Sequence, residues 1–285
     1  MRISEAYQTL YREWSPQLSA ASETRHLHDL RRFTSLMGEV SIFDLTTKDY
    51  GRFRALAVKA GMSPSTCETT LRTIRQTLNA AASLGVLERV PYRGRGLRVQ
   101  VKRPQPATPE ELRRLWDCAI AATWPRRTPW GKPAKFWRAW LAFGYFTGLR
   151  LTDLTWRLSR EHIQPGMIAY QASKTGAEHV WPMTDHLWRI LNWRSNQDDG
   201  KSLFHCALST NLLRKHLRLI CEAAEIRKLT PKRLRQASCS QWTIACPRAG
   251  EYVHGVGLPG VLKSYIDPLI VLRAAVDRLC WPFPA

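Results

Sequence analysis

Several short motifs in the second half of the chain could together bind and cut a phosphodiester. Arg150 lies in the segment FTGLRLTDL, Lys174 lies in a Lys-Thr-Gly turn, and Arg235 follows Lys232 by three residues. Arginine presents a planar, permanently charged fork that fits phosphate oxygens, and lysine can give a proton to a leaving oxygen. Tyr265, further along the chain, could act as a nucleophile.

Taken singly, each motif has an ordinary structural explanation. The segment around Arg150 could be a helix junction, Lys174 could be merely solvated, and Tyr265 could be a packing residue. Lys232 and Arg235 are what any DNA-facing helix could carry. The order of the motifs along the chain argues for one site: Arg150, Lys174, Lys232-x-x-Arg235, His254-Gly255, Tyr265 and then a terminal helix.

This order resembles the tyrosine recombinases, the phage-integrase superfamily, over essentially the whole chain. Their catalytic domain carries a TGLRxxEL box, a lysine on a β-hairpin, an HxxR box, a GH pair and a tyrosine. The resemblance implies a site-specific recombinase that joins DNA strands through a 3′-phosphotyrosyl intermediate and a Holliday junction, without ATP, metal or cofactor. Short inverted-repeat core sites in duplex DNA would be its target.

The resemblance also assigns a role to each candidate residue. Tyr265 is expected to be the nucleophile, Arg150 and Arg235 to clamp the phosphate, and Lys174 to protonate the leaving 5′-oxygen. The remaining candidates are expected to assist: Lys232 and His254 by hydrogen bonding or proton shuttling, and Asp153 by orienting its neighbours.

Two departures from the family pattern keep other functions open. Lys232 stands where the HxxR box usually has histidine, and type IB topoisomerases commonly have lysine there, so a DNA-relaxing enzyme is one alternative. His254 precedes Tyr265 by eleven residues, a longer gap than is usual in the family. A DNA-binding protein with a decayed active site is the other alternative.

The charge distribution indicates a nucleic-acid partner. The chain has a net charge of +20, with −1 in residues 1–50, +9 in residues 51–103 and +12 in residues 104–285. A surplus of this size attracts polyanions and makes their binding steeply salt-dependent. The residues expected to contact DNA are Arg72, Arg75, Arg93, Arg95, Arg98, Lys102, Arg103 and Arg233.

Other classes of protein find no support in the sequence. The seven cysteines form no CxxC pair and no zinc-finger spacing, so no metal site is expected. There is no phosphate-binding GxxxxGK[ST] loop, no HExxH and no GxSxG. Neither a signal peptide nor a membrane span is apparent, and we expect a cytoplasmic, nucleoid-associated protein with no membrane partner.

Helix signals predict a mostly α fold in two domains. Caps and apolar periodicity place helices at Ser19–Met37, from Thr46 to Gly61, and from Ser63-Pro64 to about Leu84. A Pro-rich segment near residue 105 separates the domain of residues 1–104 from that of residues 105–285. The second is expected to have helices around 108–122, 133–147, 185–195, 209–224, 231–245 and 268–280, and a strand-like stretch with a hairpin turn at Lys174-Thr175-Gly176.

The resemblance refines this architecture and adds partners. It implies an N-terminal SAM-like helical core-binding bundle and an α+β catalytic domain with a small antiparallel sheet, together a C-shaped clamp on DNA. No arm-binding domain is expected before the bundle. The segment after Tyr265 either folds back on its own domain or docks on a neighbouring protomer. In the second case deleting residues 269–285 impairs assembly while sparing single-site binding. A homotetramer is expected on synapsed DNA, with monomers or dimers when the protein is free.

Overall fold

The structure is a computed structural model of the 285-residue chain, and it describes residues 1–100, 103–194, 202–205, 209–254 and 267–284. The contacts divide the chain into two compact units, Met1–Lys102 and Arg103–Ala285. The boundary expected from the Pro-rich segment lies two residues further on. Each unit has its own hydrophobic core.

Capping residues fix the helix ends of the first unit. Ser19 and Ser63 each accept a hydrogen bond from the backbone N–H three residues later, and Thr46 forms a capping box with Asp49. These bonds satisfy N–H groups that have no partner inside a helix. The elements of this unit are α1 (Ile3–Ala6), a π-helical turn (Tyr7–Tyr11), α2 (Arg12–Trp14), α3 (Ala20–Met37), α4 (Thr47–Lys59) and α5 (Pro64–Ser83).

The core of the first unit is built from the apolar faces of these helices. The rings of Phe33 and Phe53 lie 5.1 Å apart, and Leu71, Ile74 and Leu78 of α5 are fully buried. Each such side chain contributes about 1.5–3 kcal/mol when it leaves water. The expected helical bundle is therefore confirmed.

A mostly apolar helix, α7 (Pro133–Thr147), runs through the core of the second unit. Its residues from Phe136 onward are almost all buried, so other elements pack around it on every side. These elements are α6 (Pro109–Cys118), a 3₁₀ turn (Ala119–Ala121), α8 (Leu151–Trp156), a 3₁₀ turn (Arg160–His162), α9 (Asp185–Leu191), α10 (Thr210–Ala223), α11 (Pro231–Ala245), α12 (Ala249–His254) and α13 (Pro268–Val276).

The small sheet predicted from the β-prone run is also present. Its three antiparallel strands, in the order 1-2-3, are β1 (Ile163–Gln164), β2 (Met167–Gln171) and β3 (Glu178–Pro182). In the register of β2 and β3, Tyr170 lies opposite His179 and Ile168 lies opposite Trp181. The connecting turn is closed by a hydrogen bond from Gly176 N to Ala172 O (2.8 Å).

The segment that ends the chain packs on its own unit. Tyr145 of α7 donates a hydrogen bond to the Cys280 carbonyl (2.6 Å), and the ring of Phe283 stacks on Trp116 with centroids 4.8 Å apart. Phe283 is 3% exposed. Docking of this segment on a neighbouring protomer stays a prediction.

Within the described residues, no helix is long and apolar enough to cross a bilayer. No group of three His, Cys, Asp or Glu side chains in the described part of the chain is arranged to hold a metal ion.

Candidate active site

The turn between α7 and α8 positions Arg150. Gly148 ends α7 with φ +58°, a left-handed conformation that glycine adopts without steric cost. The hydroxyl of Thr147 accepts a hydrogen bond from Leu149 N (3.3 Å). Arg150 is then extended at the N-cap of α8, and Asp153 occupies the third position of that helix. The spacing of this segment thus places an arginine at the turn and a carboxylate one helical turn later.

A close helix approach brings Arg235 to the same turn. A Cβ atom at Gly144 of α7 would lie 2.7 Å from Leu234 Cδ2 and 2.9 Å from Leu154 Cδ2, so a larger residue there would require both leucine side chains to shift. Arg235, the next residue of α11, donates a hydrogen bond from Nη1 to the Gly148 carbonyl (2.6 Å).

Arg150 and Arg235 form a cationic pair. The pKa of Arg235 is lowered by its burial and by the charge of Arg150, while Asp153 acts in the opposite direction. Among the described residues, none accepts a hydrogen bond from the Arg150 guanidinium. Two neighbouring guanidinium groups repel each other unless an anion lies between them, so the arrangement is suited to binding a phosphate.

Asp153 connects this pair to the hairpin that carries Lys174. The Asp153 side chain is fully buried, and its Oδ1 accepts hydrogen bonds from Tyr170 Oη (3.0 Å) and Ser173 Oγ (2.5 Å). Ser173 immediately precedes Lys174, which is exposed in the turn between β2 and β3. The carboxylate therefore fixes the base of the turn, and the lysine itself extends into solvent.

The structure describes the other predicted catalytic residues only in part. Lys232 is exposed in the first turn of α11, one turn before Arg235. His254 is the last residue of α12, and its side chain lies outside what the structure describes. Tyr265 lies outside the described residues. The structure thus brings together three of the predicted residues: Arg150, Arg235 and Asp153. Lys174 directly follows Ser173, which is hydrogen-bonded to Asp153.

The sequence reasoning missed His179, which belongs to the same cluster. It lies on β3 and is 6% exposed. The charges of Arg150, Arg235 and Asp153 affect its pKa. The alternation of the run EHVWP places His179 on the face of Trp181, and pairing with β2 places it opposite Tyr170. A register assignment for the hairpin could therefore have found it.

In the first unit, a buried ion pair holds the basic segment of residues 93–98. Glu68 accepts hydrogen bonds from Arg54 Nε (2.7 Å) and from Leu97 N (2.9 Å). Arg54 Nη1 also donates to the Arg93 carbonyl (2.9 Å). The two charged side chains are about nine-tenths buried, so this irregular segment is anchored at both ends.

The predicted DNA-contacting arginines of the first unit lie on α5 and on this segment. Arg72, Arg95 and Arg98 are exposed, whereas Arg75 and Arg93 are partly buried. Arg75 Nη1 lies 3.5 Å from the Pro91 carbonyl. At the start of the second unit Arg103 is exposed, and Lys102 lies outside the described residues. Their contact with DNA stays a prediction.

Arg233 is expected from the sequence to contact DNA, but its guanidinium is bonded within the protein. Its Nη2 binds Glu111 Oε2 (2.7 Å) and lies 3.5 Å from the Pro106 carbonyl. Its Nε and Nη1 donate to the carbonyls of Gln105, Arg227 and Lys228. All five N–H groups of the guanidinium are used, so Arg233 joins the backbone of residues 105–106 to that of residues 227–228 and to the Glu111 side chain. A DNA contact would require these bonds to break.

Comparison with solved structures gives the fold a precedent. Lambda integrase, as a dimer bound to a COC′ core site, matches with a TM-score of 0.70 over 94% of this chain and 98% of that chain, at 15% identity. A lambda integrase tetramer bound to a Holliday junction gives a TM-score of 0.70 over 91% of this chain and 79% of that chain, at 14% identity. The Tn1549 transposon integrase (residues 82–397) with circular intermediate DNA gives 0.64 over 97% and 99%, at 14% identity.

These matches extend over nearly the whole chain, so the likeness is not confined to one unit. No protein-family model matches the sequence, and no curated protein matches it. The chain has the fold of the tyrosine recombinases, with the helical unit and the mixed unit that the resemblance implied.

Proposed function

We propose that this protein is a site-specific tyrosine recombinase that cuts and rejoins DNA strands through a 3′-phosphotyrosyl intermediate and a Holliday junction. The observation that carries the proposal is the pair of arginines, Arg150 and Arg235, held together at Gly148 beside the buried Asp153. Such a pair can neutralise a phosphate as its charge redistributes during strand transfer. The shared fold supports the same conclusion.

In this mechanism the phosphodiester is transferred to the protein. The Tyr265 oxygen attacks phosphorus and gives its proton to His254 or to solvent, the bond from phosphorus to the 5′-oxygen breaks, and Lys174 gives a proton to that leaving oxygen. Lys232 and His254 assist by hydrogen bonding or by moving protons. The phosphotyrosyl ester conserves the energy of the broken bond, so a 5′-hydroxyl can reverse the step and rejoin the strands without ATP.

The partner in this proposal is duplex DNA with short inverted-repeat core sites. Exposed arginines such as Arg95, Arg98 and Arg103 contact its backbone. Two protomers bind the repeats of one site, and a homotetramer carries out strand exchange between two sites. The solved lambda integrase dimer on a core site and tetramer on a Holliday junction support this assembly.

Covalent trapping tests the proposal directly. The full chain is incubated, without metal or nucleotide, with a library of random duplexes that carry nicks to trap the intermediate. We expect a protein–DNA adduct on denaturing gels, absent in Tyr265→Phe because that variant has no nucleophilic oxygen. Tyr92→Phe is the matched control, since Tyr92 is 71% exposed in the first unit, and it should form the adduct like the wild type.

Each other outcome points to a different protein. An adduct that persists in Tyr265→Phe means that another residue is the nucleophile. Tight DNA binding without any adduct favours the decayed DNA-binding protein. An adduct accompanied by plasmid relaxation, but by no strand exchange between two copies of the trapped site, favours the topoisomerase-like enzyme.

A further inference from the structure

His179 is a buried histidine in the arginine cluster for which the mechanism above has no task. Its ring stacks on Trp181, with centroids 5.5 Å apart and an interplanar angle of 11°. Across the β2–β3 pair it faces Tyr170, whose hydroxyl donates to Asp153. The imidazole is therefore held in place by the sheet beside the residues that position the arginines.

Two polar atoms of this cluster are buried without a hydrogen-bond partner in the described structure. They are Nδ1 of His179 and Oδ2 of Asp153. Leaving such an atom unpaired costs about 1–3 kcal/mol, so a proton or a donor that pairs with it is favoured by a similar amount. Both atoms lie in the cluster where the Arg150 guanidinium also has no hydrogen bond to a described residue. The cluster therefore has an acceptor at His179 and an acceptor at Asp153 that one additional proton could join.

Burial and the nearby positive charges both disfavour the protonated form of the His179 ring. Burial lowers the pKa of His179, and Arg235 of α11 and Arg150 at the N-cap of α8 lower it further. A backbone hydrogen bond to Tyr252 of α12 and the charge of Asp153 act in the opposite direction. Helix α13, which also packs on β3, carries one charged side chain, Arg273, and its Nη2 lies 3.5 Å from the Gly166 carbonyl.

Building on the proposed function, we propose that His179 is a further basic group of the phosphate site and takes up a proton when a DNA phosphodiester binds between Arg150 and Arg235. The bound phosphate offsets the positive field that disfavours the imidazolium. Protonated Nδ1 then has a hydrogen to donate towards the unpaired Asp153 oxygen. His179 is a positioning residue: it acts on the arginines and on Asp153, and its charge follows the occupancy of the site.

Calorimetry in two buffers with different protonation enthalpies measures this proton directly. The protein is the full chain with Tyr265→Phe, which binds DNA without cutting it. The ligand is the duplex recovered by trapping or, if none is trapped, a short random duplex at low salt. Its phosphodiesters stay ionised, so the protons counted go to the protein. Between about pH 6 and 8 we expect uptake approaching one proton, and an affinity that rises up to about tenfold for each pH unit lowered.

A pair of histidine variants assigns the proton to its residue. His179→Gln should lower the uptake and flatten the pH dependence of affinity. His216→Gln should change neither, although His216 is also partly buried and has a lowered pKa, because its neighbours are Trp124 and Lys215 and not the arginine cluster. If His179→Gln unfolds, His179→Asn replaces it.

The proposal is overturned if the parent protein takes up no proton, if His179→Gln keeps the full uptake, or if both variants lower it equally. Trapping and calorimetry are separate readouts of separate claims. An adduct without proton uptake leaves the recombinase function standing and removes the role of His179. Proton uptake at His179 without any adduct in the wild type leaves the phosphate site standing and removes strand transfer.

Discussion

At the scale of single residues, Glu68 shows how a buried charge can shape a binding surface. Burial alone raises the pKa of a carboxyl group, but the bonds from Arg54 and Leu97 and the charge of Arg93 outweigh it, so the pKa of Glu68 is lowered. The ionised form is therefore favoured by folding. Its contribution to stability is present above the unfolded pKa of about 4.3 and is lost as the pH falls through the lower folded value.

Replacing Glu68 with glutamine should cost about 3 kcal/mol of unfolding free energy at neutral pH, because Arg54 keeps its buried charge and loses its counter-ion. The difference from the wild type should shrink as the pH falls below the unfolded pKa and Glu68 itself becomes protonated. Chemical denaturation of the full chain across this pH range measures both effects. Glu88→Gln is the control, since Glu88 is exposed and should change stability by less than about 0.5 kcal/mol. A constant difference at all pH values would contradict the ion-pair explanation.

At the scale of elements, local sequence signals predicted most of the helices and strands. They did not predict the contacts between residues that are distant in sequence. Caps and first-turn prolines such as Ser63-Pro64 and Thr108-Pro109 located helices α5 and α6 because they act within one turn. The six-residue helices α8 and α12 were missed, since such a length shows no clear periodicity.

The same limit applies to the candidate site. The TGLR segment and Asp153 could be recognised from the sequence, because their spacing is local. Gly144 has no feature in the sequence that marks it out from any helical glycine, although its lack of a side chain leaves room for Leu234. Arg233 looked like a DNA contact because its partners, Gln105 and Glu111, are more than a hundred residues away. Contacts of this kind become visible only when the fold is known.

The packing of the last residues changes what a truncation would report. Leu272, Ala275 and Phe283 are buried in the core of the second unit. Deleting residues 269–285 should therefore unfold this unit and abolish single-site binding together with assembly. If the segment docked on a neighbouring protomer instead, the same deletion would impair assembly and spare single-site binding.

A point variant separates the two arrangements. Phe283→Ala should lower the unfolding free energy of the dilute, DNA-free protein by about 3–5 kcal/mol, because the ring fills a site between Trp116 and Tyr145. Ile270→Ala is the control within the same segment, since Ile270 is 68% exposed. Denaturant unfolding measured at several protein concentrations gives both values. Wild-type stability in Phe283→Ala, combined with a loss of DNA-bound oligomers, would place the segment on a neighbouring protomer instead.

At the scale of the whole molecule, the net charge of +20 is divided between two units that each have their own core. A diffuse positive field and a set of defined phosphate contacts both increase the affinity for DNA. Removing single residues lowers the salt dependence of binding only where those residues make defined phosphate contacts. Each phosphate contact releases counter-ions, so its loss reduces the slope of log affinity against log salt by about one. The basic segment held by Glu68 should contribute such contacts, whereas exposed charges outside the predicted DNA-contacting residues should not.

The double variant Arg95→Gln/Arg98→Gln should therefore reduce the salt slope of DNA binding by about two. The control Arg31→Gln/Lys59→Gln removes the same charge from exposed positions on α3 and α4 and should leave the slope unchanged. Equal reductions in both would mean that the field of the whole molecule, and not the segment, binds DNA. At saturating DNA the Arg95/Arg98 variant should still form the covalent adduct at the wild-type rate. The first unit then holds the DNA, and the arginine pair of the second unit acts on the phosphate.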